Sequence, residues 1–305
     1  MSKKPLTTMP IFSGISRRRL LQALALSPLL STWPALAASR PDLQRIIALE
    51  WLPAELLMAL GVVPMAIADT HDYQVWVKEP ALPASVINVG QRTEPNMELM
   101  QQLEPSLLLI SREYGPNNSQ LTPIAPVLML TANDGTGKPL QQSIRSLNLL
   151  ATHLALPQRA AEHIARYHAL LEQTRLRVQA AAAKPLLLIT FLDTRHVLVF
   201  GANSLFQEVM DDVGLTNAWQ EETSFWGSIS IGIERLAAIK DAHVLCFDHD
   251  SRDIVAQVSR TPLWQSLSFV RSNQFSVVPA VWYYGSTFSA MRFCHLLSDL
   301  LGKPA

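Results

Sequence analysis

The chain has 305 residues, with 25 basic against 25 acidic side chains, 49% hydrophobic residues and two cysteines. A chain of this length buries a large core and fits two lobes better than one. Two cysteines, Cys246 and Cys294, offer neither a disulfide framework nor a metal-ligand spacing, and Cys246 sits in an apolar run as a buried small hydrophobe.

Residues 1–37 contain five basic side chains and no acidic one. Ser16-Arg17-Arg18-Arg19 precedes the short apolar run Leu20 to Leu30, and Ala35-Leu36-Ala37 forms a small-x-small cleavage site. This stretch is expected to be an export signal, and its adjacent arginines match the twin-arginine pattern. The run is too short, and too broken by Pro28 and Pro34, to span a bilayer. Without a cysteine near the cleavage site a bacterial lipid anchor is not expected, so the mature chain is expected to be soluble outside the inner membrane. Its 268 residues carry 20 basic against 25 acidic side chains, which argues against nucleic acid as a partner.

From Arg45 the pattern is strand (Ile46–Leu49), helix (Pro53–Leu60), Gly61 as a helix stop, and a second strand (Val62–Ala68). A loop rich in Pro and aromatic residues follows, with Tyr73, Trp76, Pro80 and Pro83; a loop of that length is more often functional than idle. Asn96 is the expected N-cap of a helix to Leu103, and Pro105 leads into a buried strand, Leu107–Ser111. Tyr114-Gly115-Pro116 stands just beyond that strand's carboxyl end, where α/β sheets place their ligands.

Residues 158–184 contain no Gly or Pro and are dense in Ala, Leu, Gln, Glu and Arg. Ala160, Ile164, Tyr167, Leu171, Thr174, Val178 and Ala181 alternate steps of four and three, a narrow seam down one long helix. Such a helix is long enough to serve as a strut between two lobes. Beyond it the same order returns. Leu186–Phe191 and Val197–Phe200 read as strands, Asn203–Val213 as a helix stopped by Gly214, Ser230–Leu236 as a second capped helix, and Val244–Phe247 as the strand it leads into. Pro279–Gly285 and a final helix from Ser289 to Leu301 complete the chain.

Little here suggests an enzyme: there is no G-x-S-x-G, Walker A loop, G-x-G-x-x-G or H-E-x-x-H. His249, between Asp248 and Asp250, reads as part of a solvated loop, and Asp193 with His196 lacks a nucleophile to complete a catalytic set. Both halves instead carry aromatic side chains in loops after strands: Trp51, Trp76, Tyr114, Trp226, Trp282 and Tyr284. Together these suit a shallow apolar bowl with hydroxyl and indole handles, in which Arg92 is the strong fork of donors.

The stretches ALEWLPAELLMALG, VINVGQRTEPN, HVLVFGANSLFQE, FWGS, VLCFDHD, TPLWQ and VPAVWYYG closely resemble the periplasmic ferric-hydroxamate siderophore binding proteins, over nearly the whole mature chain. The resemblance implies two Rossmann-like α/β lobes joined by one long helix, a class III periplasmic binding protein. The lobes would be residues 38–156 and 185–305, with residues 157–184 as the connecting helix. It further implies a monomeric, non-enzymatic protein of the periplasm that captures ferric siderophores of the ferrichrome type and delivers them to an inner-membrane ABC permease. No cofactor is implied, iron being bound only through the siderophore. By matching position, Arg92 and Tyr114 would contact hydroxamate oxygens; Trp51, Trp76, Trp226, Trp282 and Tyr284 would line the pocket, and Ser228 would add a polar contact. Glu98 and Glu234, one per lobe, would dock on arginines of the permease. Haem or cobalamin on the same scaffold is the nearest alternative, and a two-lobed α/β hydrolase a more distant one.

Overall fold

The computed structural model describes residues 40–179 and 184–302. The expected export signal and the far end of the expected 157–184 helix, with Ala181, lie outside the described residues.

The first half alternates short strands and helices: β1 (Ile46–Ala48), α1 (Trp51–Ala59), β2 (Ala66–Ile67), α2 (Thr70–Trp76), β3 (Ile87–Asn88), α3 (Met97–Gln102), β4 (Leu107–Ser111), α4 (Asn118–Leu121), β5 (Val127–Leu130) and α5 (Pro139–His153). The strands pair in parallel in the order β3-β2-β1-β4-β5. A parallel sheet is covered on both faces, so its central strands are apolar throughout. Every residue of β4 is buried accordingly. Ile46, Ala48, Leu107 and Leu109 point to the face that packs on α1 and α5, whereas Ile47, Leu108 and Ile110 point to the face with Met100 and Leu121.

Helix α1 is capped by Glu50, whose carboxylate accepts from the Leu52 N–H at 2.8 Å. It is buried on almost every side and ends before Gly61, where φ is +70°. The expected strand Val62–Ala68 shrinks to Ala66–Ile67, because only these residues pair with β1. Tyr73 and Trp76, expected in a loop, lie in α2, and Tyr73 is fully buried. Asn96 caps α3 as expected, accepting from the Leu99 N–H at 2.9 Å.

Helix α6 (Pro157–Val178) has 22 residues, about 33 Å of helix. Its seam buries Ala160, Tyr167, Thr174 and Val178, and also His163, a polar residue absent from the expected set. One end packs on α1 and α5, and the Arg159 guanidinium donates to the Leu60 carbonyl at 3.1 Å.

The second half contains β6 (Leu186–Phe191), β7 (His196–Phe200), α7 (Leu205–Val213), β8 (Ser228–Gly232), a 3-10 turn (Ile233–Ala238), β9 (His243–Asp248), α8 (Arg252–Val258), α9 (Pro262–Ser266), α10 (Ser268–Arg271), β10 (Phe275–Pro279) and α11 (Thr287–Leu301). Its sheet runs β10-β9-β6-β7-β8, with β7 antiparallel to both neighbours. The internal repeat is therefore one of general plan only. The segment expected as a second capped helix is a strand followed by a 3-10 turn, because Ser228-Ile229-Ser230-Ile231 alternates with period two and finds the free edge of β7. The other end of α6 packs on α7 and α11.

The two halves meet in a buried polar junction. Glu55 on α1 is 0% exposed and accepts from the Ser286 N–H at 3.0 Å and the Ser289 N–H at 2.8 Å. A first-half carboxylate thus caps the amino end of the last helix. Gly285 makes room for it, since a Cβ there would lie 2.6 Å from Glu55 Oε2. His163 on α6 joins the cluster through Thr287 Oγ1 at 2.7 Å.

Candidate functional site

Parallel strands release their chains at one edge, and the loops there surround a cleft of about 420 Å³. Trp51 follows β1, Asp69 follows β2, Arg92 follows β3, and Ser111 to Tyr114 ends and follows β4. From the second half, Trp282 to Tyr284 follow β10 and Trp226 precedes β8. The structure brings Trp51, Trp76, Arg92, Tyr114, Trp226, Trp282 and Tyr284 together as lining of this cleft.

Arg92 is held rather than free. Its Nη1 donates to Glu50 Oε1 at 2.9 Å, and its Nε lies 3.4 Å from Asp69 Oδ2. The guanidinium carbon sits 3.6 Å from the centre of a Trp51 ring and 5.0 Å from that of Tyr114. Two features of the backbone set this up. Gly90 adopts φ +97°, and a Cβ there would meet the Asn96 nitrogen at 3.2 Å. Asp69 adopts φ +52°, a left-handed conformation uncommon for a non-glycine residue, while its carboxylate also accepts the Arg92 N–H at 3.1 Å. With Nε and Nη1 engaged, Nη2 has no protein partner among the described residues.

The aromatic residues divide into floor, back and rim. Trp51 is 1% exposed and donates its indole N–H to the Ala68 carbonyl at 3.2 Å, so it is a floor beneath Arg92. Trp282 meets it edge to face at 5.0 Å. Tyr114 is 44% exposed at the rim, while Trp226 and Tyr284 contact each other at 5.2 Å on the second-half side. Ser228 is buried and does not line the cleft; its hydroxyl lies 3.4 Å from the Tyr284 hydroxyl. Burial pushes the Tyr284 phenol up from its ordinary range, opposed by the Ser228 contact.

His249 is not in a solvated loop. It is 7% exposed, stacks on Trp76 at 4.7 Å, and its ring nitrogens lie 3.2 Å from Thr190 Oγ1 and 3.3 Å from the Val281 carbonyl. Burial holds its pKa down to about 4, so the ring is neutral and ties the first half to the second through an aromatic stack. Other site residues had no distinct signal in the sequence. Glu50, Asp69, Glu113 and Tyr283 are not singled out by the sequence, yet Glu50, Glu113 and Tyr283 line the cleft and Asp69 holds Arg92.

Glu98 and Glu234 are both exposed, each in the first turn of its short helix, and neither lines the cleft. Asp193 and His196 pair at 2.9 Å on the surface. Cys246 and Cys294 are free and buried, and burial raises both thiols to about 12.

A family model described as periplasmic binding protein matches residues 46–281. The chain is 50% identical over 291 residues to the iron(3+)-hydroxamate-binding protein FhuD of Escherichia coli (strain K12), covering 95% of this chain and 98% of that protein. It is 29% identical over 283 residues to the achromobactin-binding periplasmic protein of Dickeya dadantii (strain 3937), covering 88% and 89%. The solved structure of the Fe3+-Desferal-bound siderophore binding protein FhuD from Vibrio cholerae has the same fold, with a TM-score of 0.79 at 24% identity, covering 86% of this chain and 98% of that one.

Proposed function

The chain belongs to the periplasmic binding protein family, and from that premise we propose that it captures ferric hydroxamate siderophores of the ferrichrome type and delivers them to an inner-membrane ABC importer. The observation that carries the reading is Arg92, oriented by two carboxylates, backed by Trp51 and set beside the Tyr114 phenol in an aromatic cleft. A tris-hydroxamate fills all six iron positions itself. The protein therefore has to recognise an outer face of partly negative oxygens and a variable organic frame. A pre-oriented guanidinium with a phenol suits the first. Flat aromatic walls suit the second, accepting different frames with little shape discrimination.

On this reading Arg92 and Tyr114 meet the hydroxamate oxygens. Trp76, Trp226, Trp282 and Tyr284 line the pocket, Trp51 supports Arg92 from below, and Ser228 acts through Tyr284. The protein works as a periplasmic monomer that binds and releases its cargo unchanged, with iron as part of the cargo and no cofactor. Residues 38–156 and 185–305 act as the lobes, and α6 as the helix between them. Glu98 and Glu234 are the docking pair for the permease.

Tryptophan fluorescence titration with a panel of ferric hydroxamates, with haem and cobalamin as competitors, tests this directly. Arg92→Ala is expected to weaken ferric hydroxamates by roughly 10- to 150-fold, the equivalent of about 1.5–3 kcal/mol for a hydrogen bond to a charged group. Unchanged affinity in that variant would overturn the site assignment.

A further inference from the structure

Trp226 is a wall of the cleft on the second-half side, yet packing does not fix it closely. It is half-buried and meets Tyr284 at 5.2 Å, and behind it a void of about 20 Å³ opens between Ala132, Asn133, Leu205 and Tyr284. A gap of that size forfeits contact on one side of the ring. What sets the indole is therefore the turn that carries it, Ser224 to Gly227.

That turn is anchored within its own half at both feet. The Ser224 N–H donates to the Ser228 carbonyl at 3.0 Å and the Gly227 N–H to the Ser224 carbonyl at 2.9 Å. Gly227 has φ +73°, and a Cβ there would collide with the backbone of Ser204. The apex is held differently. Among the described residues the Phe225 carbonyl accepts one hydrogen bond, and it comes from the first half, where Asn133 Nδ2 donates to it at 2.7 Å. Asn133 is 5% exposed, and its Oδ1 accepts from the Gly135 N–H at 2.9 Å, so both ends of the amide are engaged and its orientation is set. The Phe225 ring also rests on Gly135, where a Cβ would lie 3.5 Å from it. The loop between β5 and α5 thus grips the peptide beside Trp226.

We propose that Asn133 is a positioning residue for cargo binding, which does not line the cleft itself but holds Trp226 in place as its wall through the Phe225 carbonyl. The inference rests on the siderophore reading for the identity of the cargo and adds to it a residue outside the pocket. The carbonyl in question belongs to the planar peptide joining Phe225 to Trp226, so any rotation of it changes the direction in which the indole leaves the backbone. Without the Asn133 donor that carbonyl is left unpaired, and the peptide turns to water to regain a partner.

The test uses Asn133→Asp and Asn133→Ala, each made in the wild-type and in the Trp226→Ala background and checked for folding by urea unfolding. Aspartate keeps an oxygen for the Gly135 N–H but meets the Phe225 carbonyl with an acceptor, whereas alanine removes the donor without adding charge, so the comparison survives if one of the two fails to fold. Without cargo, both should move tryptophan emission to longer wavelength as the Trp226 indole meets more water, and the shift should vanish in the Trp226→Ala background. Affinity for ferrichrome should fall about five- to tenfold, the range for one hydrogen bond, but by less than about twofold where Trp226 is already alanine. Unchanged emission and affinity, or losses equal in the two backgrounds, would overturn the inference and leave the siderophore reading standing. If the wild-type protein binds no ferric hydroxamate, the siderophore reading falls and the cargo role of Asn133 with it, while the emission comparison still decides whether Asn133 places Trp226.

Discussion

Glu55→Gln probes the junction at which α1 of the first half caps α11 of the second. The Glu55 carboxyl is fully buried, and its pKa is raised from 4.5 to about 7, burial being the main cause, opposed by the Ser289 and Ser286 donors. Between those two values the native protein holds a proton that the unfolded chain has released. The resulting stabilisation is complete below pH 4.5 and is lost as pH rises through about 7. Each pH unit between the two values is worth about 1.4 kcal/mol, so the wild-type protein should lose about 3 kcal/mol across the window through this one group. Glutamine keeps a carbonyl for one of the two backbone donors and does not titrate. The assay is urea unfolding of both proteins at a series of pH values, read as the difference between them, which removes every other titrating group. That difference should change by about 3 kcal/mol over the window. Parallel stability curves for wild type and Glu55→Gln would show that the buried carboxyl is not the titrating group, and would refute the reasoning.

The histidines act with the opposite sign. Burial holds His163 and His249 down from 6.5 to about 4, so the unfolded chain takes up protons that the native protein does not, and stability is lost as pH falls from 6.5 towards 4. His249→Gln should therefore flatten the acid side of the pH profile of Tm while lowering its plateau through loss of the Trp76 stack. Closure on binding should be small, because the halves are already tied by the Glu55 cap, the Trp76–His249 stack and the Asn133 side chain donating to the Phe225 carbonyl at 2.7 Å. X-ray scattering with and without a ferric hydroxamate should nearly superimpose, and a large change in radius of gyration would contradict this. The double variant Glu98→Ala with Glu234→Ala should abolish permease-dependent iron uptake while leaving siderophore affinity within error; normal uptake would sink the docking assignment.

Local pattern was enough for most of the scaffold. The apolar runs of β4, β6 and β9, the Asn96 cap, the Gly61 and Gly214 stops and the seam of α6 are signals spread over a few neighbouring residues. The family resemblance rests on the same stretches. The aromatic residues expected in loops after strands are placed less well: Trp51 lies in α1, Trp76 in α2, and Trp226 precedes β8. What escaped that reading depends on partners distant in the chain. Ser228–Gly232 becomes a strand because β7 offers it an edge, and Ala66–Ile67 stays short because β1 offers it two residues. His249 is buried because Trp76, from the other half, covers it.

Charge shows the division most clearly. In the sequence Arg92 is a cation in a loop, Glu50 a residue before a helix, and Glu55 one more acid in an apolar run. Only the fold turns Arg92 into a clamped fork, places Glu113 in the same cleft with one oxygen unpaired, and buries Glu55 against a helix end 231 residues away. Periodicity carries secondary structure because a residue's neighbours in a helix or strand lie two to four positions away. The state of a charged group depends on which donors, charges and solvent surround it in three dimensions, and those come from remote parts of the chain.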